Sequence, residues 1–113
     1  MTESQFIAVA DQALERIGDA LDEALDSSDV DVDWSLNDGI LEIVGEDGRK
    51  IIVNRHVPNR EIWVAARSGA FHFAAADGRW RDTRGSAELG ASIARLLQEE
   101  MGVRMDVPAL AAG

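Results

Sequence analysis

The chain has 113 residues, of which 46% are hydrophobic, and its 21 acidic and 11 basic side chains give a formal net charge of -10. This length and composition predict one folded domain, and they exclude a disordered chain and a membrane span, which needs ~18 consecutive apolar residues. The negative charge disfavours nucleic acid and anionic membranes as partners, while the absence of cysteine excludes disulfides, a thiolate nucleophile and sulfur ligands for a metal.

A long helix is predicted from about residue 4 to residue 26. Thr2 and Gln5 have the spacing of a capping box, and apolar residues then recur at the three- and four-residue steps of one helix face. Gly18 interrupts the pattern, so the helix either bends there or packs closely against a neighbour. The first residues lack the basic and apolar regions of an export signal, and we therefore expect a cytoplasmic protein.

The opposite side of this helix, together with the segment that follows it, carries a dense row of carboxylates that we call the acidic ridge. Helical spacing stacks the first of them in water, and alternation with Val30, Val32 and Trp34 continues the row along a predicted strand. Carboxylate oxygens suit hard cations such as Fe²⁺, Fe³⁺, Ca²⁺ or a lanthanide, held weakly by two or three ligands because a helix face cannot surround an ion. The alternative is a solvated charged face without a metal. The candidate ligands are Glu15, Asp19, Asp22, Glu23, Asp26, Asp29, Asp31 and Asp33.

Six strands are expected after the first helix, because turn signals divide this part of the chain at regular intervals. A second helix is predicted over about 86–101, with Ser86 as its cap and Gly102 at its end. In the tail, 103–113, Val107 and Leu110 are expected to lie between the helices, and the last three residues to fray. These elements predict an α+β sandwich, with two roughly antiparallel helices on one face of a five- to six-stranded antiparallel meander. The strands are predicted over 29–36, 40–45, 49–55, 61–66, 70–74 and 79–82.

The uncovered face of the sheet carries a second candidate site. Alternation sends Trp63 to this open face if its two β-branched neighbours enter the core, and the same parity brings His72 out beside it. We expect Trp63, ringed by Asn54, Arg55 and His72, to be an interface anchor, since tryptophan and arginine dominate binding hot spots. The alternative is that Trp63 belongs to the core and the parity is inverted.

Enzyme signatures are missing from the chain. The two histidines, His56 and His72, lack the spacing of a zinc-protease helix, and no phosphate-binding glycine loop is present. We expect His56 to be a solvated loop residue. Iron oxidation on the acidic ridge would be side chemistry of bound iron, and two alternatives stay open: an iron oxidase that stores its product in oligomers, and an acidic interaction module without a metal.

Several motifs resemble those of one known family. Asn54-Arg55, Pro58, Ile62-Trp63-Val64-Ala65, Ser68-Gly69 and His72-Phe73 stand in the order and spacing of the frataxin family, and Phe6, Ala10-Asp11, Leu14, Ile17 and Leu21 look like the start of its bacterial branch. The resemblance implies an α-β-meander-α sandwich that binds iron weakly, serves iron–sulfur cluster assembly and docks on a cysteine desulfurase and a scaffold protein. It also implies that Trp63 is exposed and contacts partners. We accordingly expect a monomer that oligomerises with iron. The expected partner-binding residues are Trp63, Asn54, Arg55 and His72 on the open face and Asp22, Glu23 and Asp26 on the ridge.

Overall fold

Helix α1 (Glu3–Asp26) opens the fold in the computed structural model, which describes residues 1–113. The predicted capping box is present at its start. The Thr2 hydroxyl accepts a hydrogen bond from the Gln5 backbone N–H at 3.1 Å, and the Gln5 side chain accepts one from the Thr2 N–H at 2.8 Å. The apolar face of α1, from Phe6 to Leu21, is buried. The predicted bounds of this helix are therefore confirmed to within one residue.

Six strands follow and form one antiparallel sheet. Each strand pairs with its neighbour in the chain, so the sheet is the predicted meander. At the tip of the first hairpin, Asp38 and Gly39 have φ values of 48° and 77°, the left-handed pair that a tight hairpin requires and that glycine and aspartate adopt readily. The strands are β1 (Asp33–Asn37), β2 (Ile40–Val44), β3 (Lys50–His56), β4 (Glu61–Ala66), β5 (Gly69–Ala76) and β6 (Arg79–Asp82).

The first strand is shorter than predicted. Asp33 pairs with Val44, the last residue of β2, so residues 29–32 have no strand beside them to complete a ladder. Asp29 and Asp31 therefore lie in an irregular segment between α1 and β1, and their placement on a strand was wrong. The alternation of exposure survives in this segment, because Val32 is buried while the aspartates on either side of it are in water.

Both helices cover the same face of the sheet. Inward residues of the strands, such as Ile51, Val64 and Phe73, are fully buried with apolar residues of α1 and of helix α2 (Leu89–Met101). This arrangement is the predicted two-layer sandwich. The predicted cap of α2 was wrong: Glu88, and not Ser86, accepts the first backbone N–H groups, so α2 begins at Leu89. Neither helix combines the length and the apolar character that crossing a bilayer requires.

The tail closes the core beside α2. Leu110 is fully buried, and its backbone N–H donates to Glu88 Oε2 at 2.9 Å. The buried Trp80 indole donates to the Ala111 carbonyl at 3.1 Å, and Ala112 is also buried. The expectation that the last three residues fray was therefore wrong for two of them, because they satisfy hydrogen bonds of β6 and its hairpin.

Candidate functional site

The eight carboxylates of the acidic ridge all lie in water, on α1 and on the segment that leads into β1. None of them forms an ion pair, although six other acidic residues of the chain pair with an arginine or a lysine. Asp11, on the same helix, is one of the paired residues, because Arg55 Nη1 lies 2.5 Å from its carboxylate. The ridge is thus a strip of uncompensated negative charge at the β1 edge of the sheet.

The ridge also opposes the dipole of its own helix. Glu23 and Asp26 lie in the last turn of α1, which contains no basic residue. The C-terminal end of a helix carries a partial negative charge, and each exposed carboxylate there costs about 0.3–1 kcal/mol at low salt. The helix would therefore be more stable if these positions were neutral or basic.

The ridge carboxylates do not converge on one point. No group of three acidic or histidine side chains in the chain is arranged to hold a single ion. An ion on the ridge would therefore meet one or two carboxylates, fewer than the two or three that we expected, with water in its other coordination positions.

Trp34 joins the ridge to the sheet, a contact that the sequence did not reveal. Its indole Nε1 donates a hydrogen bond to Asp22 Oδ1 at 2.9 Å. Its six-membered ring lies so close to Gly18 that a β-carbon there would come within 2.7 Å of the ring. Close packing, and not a bend, therefore explains the glycine inside α1, and the signal was present as an unexplained glycine in a helical pattern.

Trp63 lies partly exposed on the open face of the sheet, as its strand parity predicts. Its neighbours Ile62 and Val64 are buried under the helices, and His72 is its direct partner on β5. The indole lies between two imidazoles: its ring centroid is 3.6 Å from that of His56 and 4.3 Å from that of His72, with both interplanar angles at 8°.

His56 is therefore not the solvated loop residue that we expected. It ends β3, and its Nδ1 is buried without a hydrogen-bond partner. This position could not be predicted from local patterns, because the stack depends on the register between β3 and β4, which brings His56 diagonally across from Trp63.

An apolar groove of about 410 Å³ runs beside Trp63 on the same face. Ile40, at its rim, is 47% exposed, which is unusual for a large apolar side chain in this fold. The open face therefore presents apolar surface next to an ordered aromatic stack, the combination typical of an interaction surface. The groove is lined by Ile40, Ile52, Asn54, Trp63, Val64, Ala65, Ala70 and His72.

Arg55 does not belong to the open face. It follows Ile51 and Val53 in the alternation of β3, so it points to the helix-covered side, where it pairs with Asp11 at 2.5 Å and with Asp38 at 3.5 Å. The expectation that Arg55 borders Trp63 together with Asn54 was wrong, because consecutive residues of a strand point to opposite faces.

One carboxyl group outside both surfaces has a shifted pKa. The Arg49 backbone N–H donates to Asp47 at 3.0 Å, and this hydrogen bond lowers the pKa of the Asp47 carboxyl, with a further contribution from the charge of Arg49. Asp47 lies in the turn between β2 and β3, so this shift belongs to the hairpin and not to the ridge.

Known proteins match this chain in sequence and in fold. A family model described as a frataxin-like domain matches residues 1–103. Relatives named iron-sulfur cluster assembly protein CyaY include one from Cupriavidus metallidurans, which is 40% identical over 93% of this chain and 95% of its own length. Another, from Dechloromonas aromatica, is 48% identical over 90% of this chain and 94% of its own length.

Solved structures agree with these matches. A frataxin from Psychromonas ingrahamii, described within the CyaY protein family, superposes with a TM-score of 0.84 at 27% identity and covers 94% of this chain and 97% of its own. Trimeric frataxin from the yeast Saccharomyces cerevisiae, described as complexed with ferrous, superposes with a TM-score of 0.72 over 82% of this chain and 85% of its own. At 23% identity, this second likeness shows the shared fold alone.

Proposed function

Since the chain belongs to the frataxin-like family, we propose that it is an iron-binding adapter in iron–sulfur cluster assembly. In this proposal, the acidic ridge meets iron or a basic surface of the cysteine desulfurase, and the open face around Trp63 meets the scaffold protein. The names of the relatives, which align with about nine-tenths of the chain, support a role in this pathway.

The observation that carries the proposal is the uncompensated charge of the ridge. All eight carboxylates are exposed and have no basic partner, and the five that lie on α1, two of them in its last turn, lower the stability of that helix. The same charges attract a cation or a basic protein surface and accelerate its association. Binding of a positively charged partner would reduce the repulsion between the ridge carboxylates of the folded protein.

Iron would bind weakly and at more than one position. Oxygen ligands suit Fe²⁺ and Fe³⁺, and other hard cations would substitute for them. Because each position offers one or two carboxylates, coordination sites remain for water or for carboxylates of a second copy, which would make association of a monomeric protein depend on iron. The ligands that we propose are Glu15, Asp19, Asp22, Glu23, Asp26, Asp29, Asp31 and Asp33.

A pair of charge reversals tests the ridge. Glu23→Lys with Asp26→Lys changes the net charge by the same amount as Glu99→Lys with Asp77→Lys, which alters exposed carboxylates on α2 and in the turn between β5 and β6, away from the ridge. Asp22 stays unchanged because it accepts the hydrogen bond of Trp34. Calorimetric titration at low ionic strength, with Fe²⁺ under anaerobic conditions and with purified desulfurase, should show about tenfold weaker binding for the ridge variant only, a difference of about 1.4 kcal/mol.

Unfolding measurements separate this effect from damage to the fold. Lysines at the end of α1 should raise the free energy of unfolding slightly, because they suit the helix dipole. Lower affinity together with higher stability cannot come from a misfolded variant. Equal losses in both variants would mean that net charge alone acts, and unchanged affinities in both would remove the ridge from the proposal.

The open face has its own test. Trp63→Ala should weaken binding of the purified scaffold protein by about 2 kcal/mol or more if the indole is a hot spot. Because the indole lies outside the hydrophobic core, the variant should lose less thermal stability than a variant that truncates a core residue would. A large loss of thermal stability with unchanged affinity would show that Trp63 serves the fold and not the interface.

A further inference from the structure

Three side chains from three neighbouring strands hold the Trp63 indole. Glu61 Oε1, two residues earlier on β4, accepts a hydrogen bond from Trp63 Nε1 at 2.8 Å. His56 on β3 and His72 on β5 cover the two faces of the ring in nearly parallel planes. A ring that is held on its polar edge and on both faces has lost most of its freedom to rotate.

The Glu61 carboxylate forms a hydrogen bond with the indole and not with His72. Its side chain is only 18% exposed, and the oxygen that accepts the Trp63 N–H is 3.8 Å from His72 Nδ1, beyond hydrogen-bond distance. The short contact of this carboxylate on the open face is therefore the one to Trp63.

His56 gives up a hydrogen bond to keep its place in the stack. Its Nδ1 is buried without a partner, which costs free energy relative to a ring turned toward water. The flat stacking contact with Trp63 is favourable and offsets part of this cost. The stacked imidazole is thus a second side chain that restrains the indole, in addition to Glu61.

We propose that Glu61 is a positioning residue that, together with the two imidazoles, fixes the Trp63 indole in the orientation that the scaffold protein meets. This inference rests on the proposed docking role of Trp63. An anchor that is already ordered before contact loses less conformational freedom on binding. The contacts of Glu61 and the two imidazoles with the indole should therefore raise the affinity for the scaffold protein.

Substitutions at Glu61 test the proposal. Glu61→Ala removes the acceptor, whereas Glu61→Gln keeps an oxygen that can accept the same hydrogen bond. Glu42→Ala is the control: Glu42 lies on the same face and its ion pair with Lys50 does not involve the indole. In titration with a purified bacterial scaffold protein, Glu61→Ala should weaken binding about tenfold, with the glutamine variant and the control within about threefold of the parent.

The position of the indole is measured directly by nitrogen-15 NMR. The chain has three tryptophans, so its spectrum contains three indole N–H signals, and the Trp63 signal is the one lost in Trp63→Phe. We expect this signal to move strongly in Glu61→Ala and to stay near its parent position in Glu61→Gln and in Glu42→Ala. His56→Ala, which removes one stacked ring and leaves the hydrogen bond, should weaken binding about threefold, and His56→Phe should restore it.

Two results overturn the inference, and they differ from failure of the docking role. If Trp63→Ala weakens scaffold binding while Glu61→Ala binds like Glu42→Ala, the indole docks but Glu61 does not position it. If Glu61→Gln fails to restore either the affinity or the Trp63 signal, the charge of Glu61 and not its hydrogen bond is what acts. If Trp63→Ala itself binds normally, the docking role fails and the positioning role fails with it.

Discussion

Gly18→Ala should destabilise this protein, although alanine is the best helix former and glycine among the worst. On propensity alone, the substitution would stabilise α1 by about 1 kcal/mol. The structure opposes this gain, because the new β-carbon would lie 2.7 Å from Cη2 and 2.9 Å from Cζ3 of Trp34. Ordinary contact begins near 3.4 Å, so the indole would have to retreat by about 0.7 Å.

The indole cannot retreat without loss. It is rigid, and its Nε1 donates to Asp22 at 2.9 Å on the same helix as Gly18. Overpacking of this kind costs about 1–3 kcal/mol, and weakening a partly exposed hydrogen bond adds up to about 1 kcal/mol. After the propensity gain of about 1 kcal/mol is subtracted, the free energy of unfolding should fall by up to about 3 kcal/mol.

A double-mutant cycle with Trp34→Ala separates the gain in helix propensity from the cost of packing against the indole. Without the indole, Gly18→Ala meets no obstacle and should stabilise the protein by about 1 kcal/mol, so the sign of its effect reverses between the two backgrounds. Urea unfolding followed by far-ultraviolet circular dichroism gives each free energy by linear extrapolation.

The sign of the change in the free energy of unfolding that Gly18→Ala causes with Trp34 present tests whether close packing explains the glycine. If Gly18→Ala raises the free energy of unfolding while Trp34 is present, the indole yields easily and close packing does not explain the glycine. A fall of equal size in both backgrounds would instead place the strain within α1 itself.

Three further predictions concern stability and are tested by urea unfolding. Arg55→Met should cost about 1 kcal/mol, because it removes a side chain that is only 17% exposed and leaves the Asp11 carboxylate, which is 40% exposed, without its ion pair. Asp38→Asn, at a side chain 98% exposed, should cost less than about 0.5 kcal/mol, and equal costs would refute the ranking. Deleting Leu110–Gly113 should cost about 3–5 kcal/mol through the buried leucine and the lost tail hydrogen bonds, and deleting Gly113 alone should change nothing measurable. Asp47→Asn should be less stable than the parent at neutral pH, and this difference in the free energy of unfolding should disappear once the pH lies below the folded-state pKa of Asp47. A lowered folded-state pKa stabilises the fold above the unfolded-state pKa of Asp47 and loses this effect as the pH falls through the folded-state value; a difference that persists in acid would contradict this cause.

Much of the architecture could be read from local patterns. The capping box at Thr2, the Asp-Gly turns and the parity that buries Ile62 and exposes Trp63 each depend on residues close together in the chain. Strand ends were less predictable, because Asp33 begins β1 only where β2 still offers a partner, and that partner is defined by pairing and not by sequence.

The contacts that complete the two surfaces could not be predicted, because each joins elements distant in sequence. Trp34 reaches Gly18 and Asp22 across the gap between α1 and β1. The stacking of His56 on Trp63 requires a known register between β3 and β4. The carboxylates of the ridge were identified from spacing alone, yet spacing could not show that no three of them converge.

The three tryptophans occupy three different environments. Trp34 touches the ridge, Trp63 stands on the open face and Trp80 is fully buried beneath the tail, and the chain contains no tyrosine. Intrinsic fluorescence therefore has three separate sources and no tyrosine background. Variants that keep one indole each would emit a signal for events at the ridge, for contact at the open face, or for loss of the core, without any attached dye.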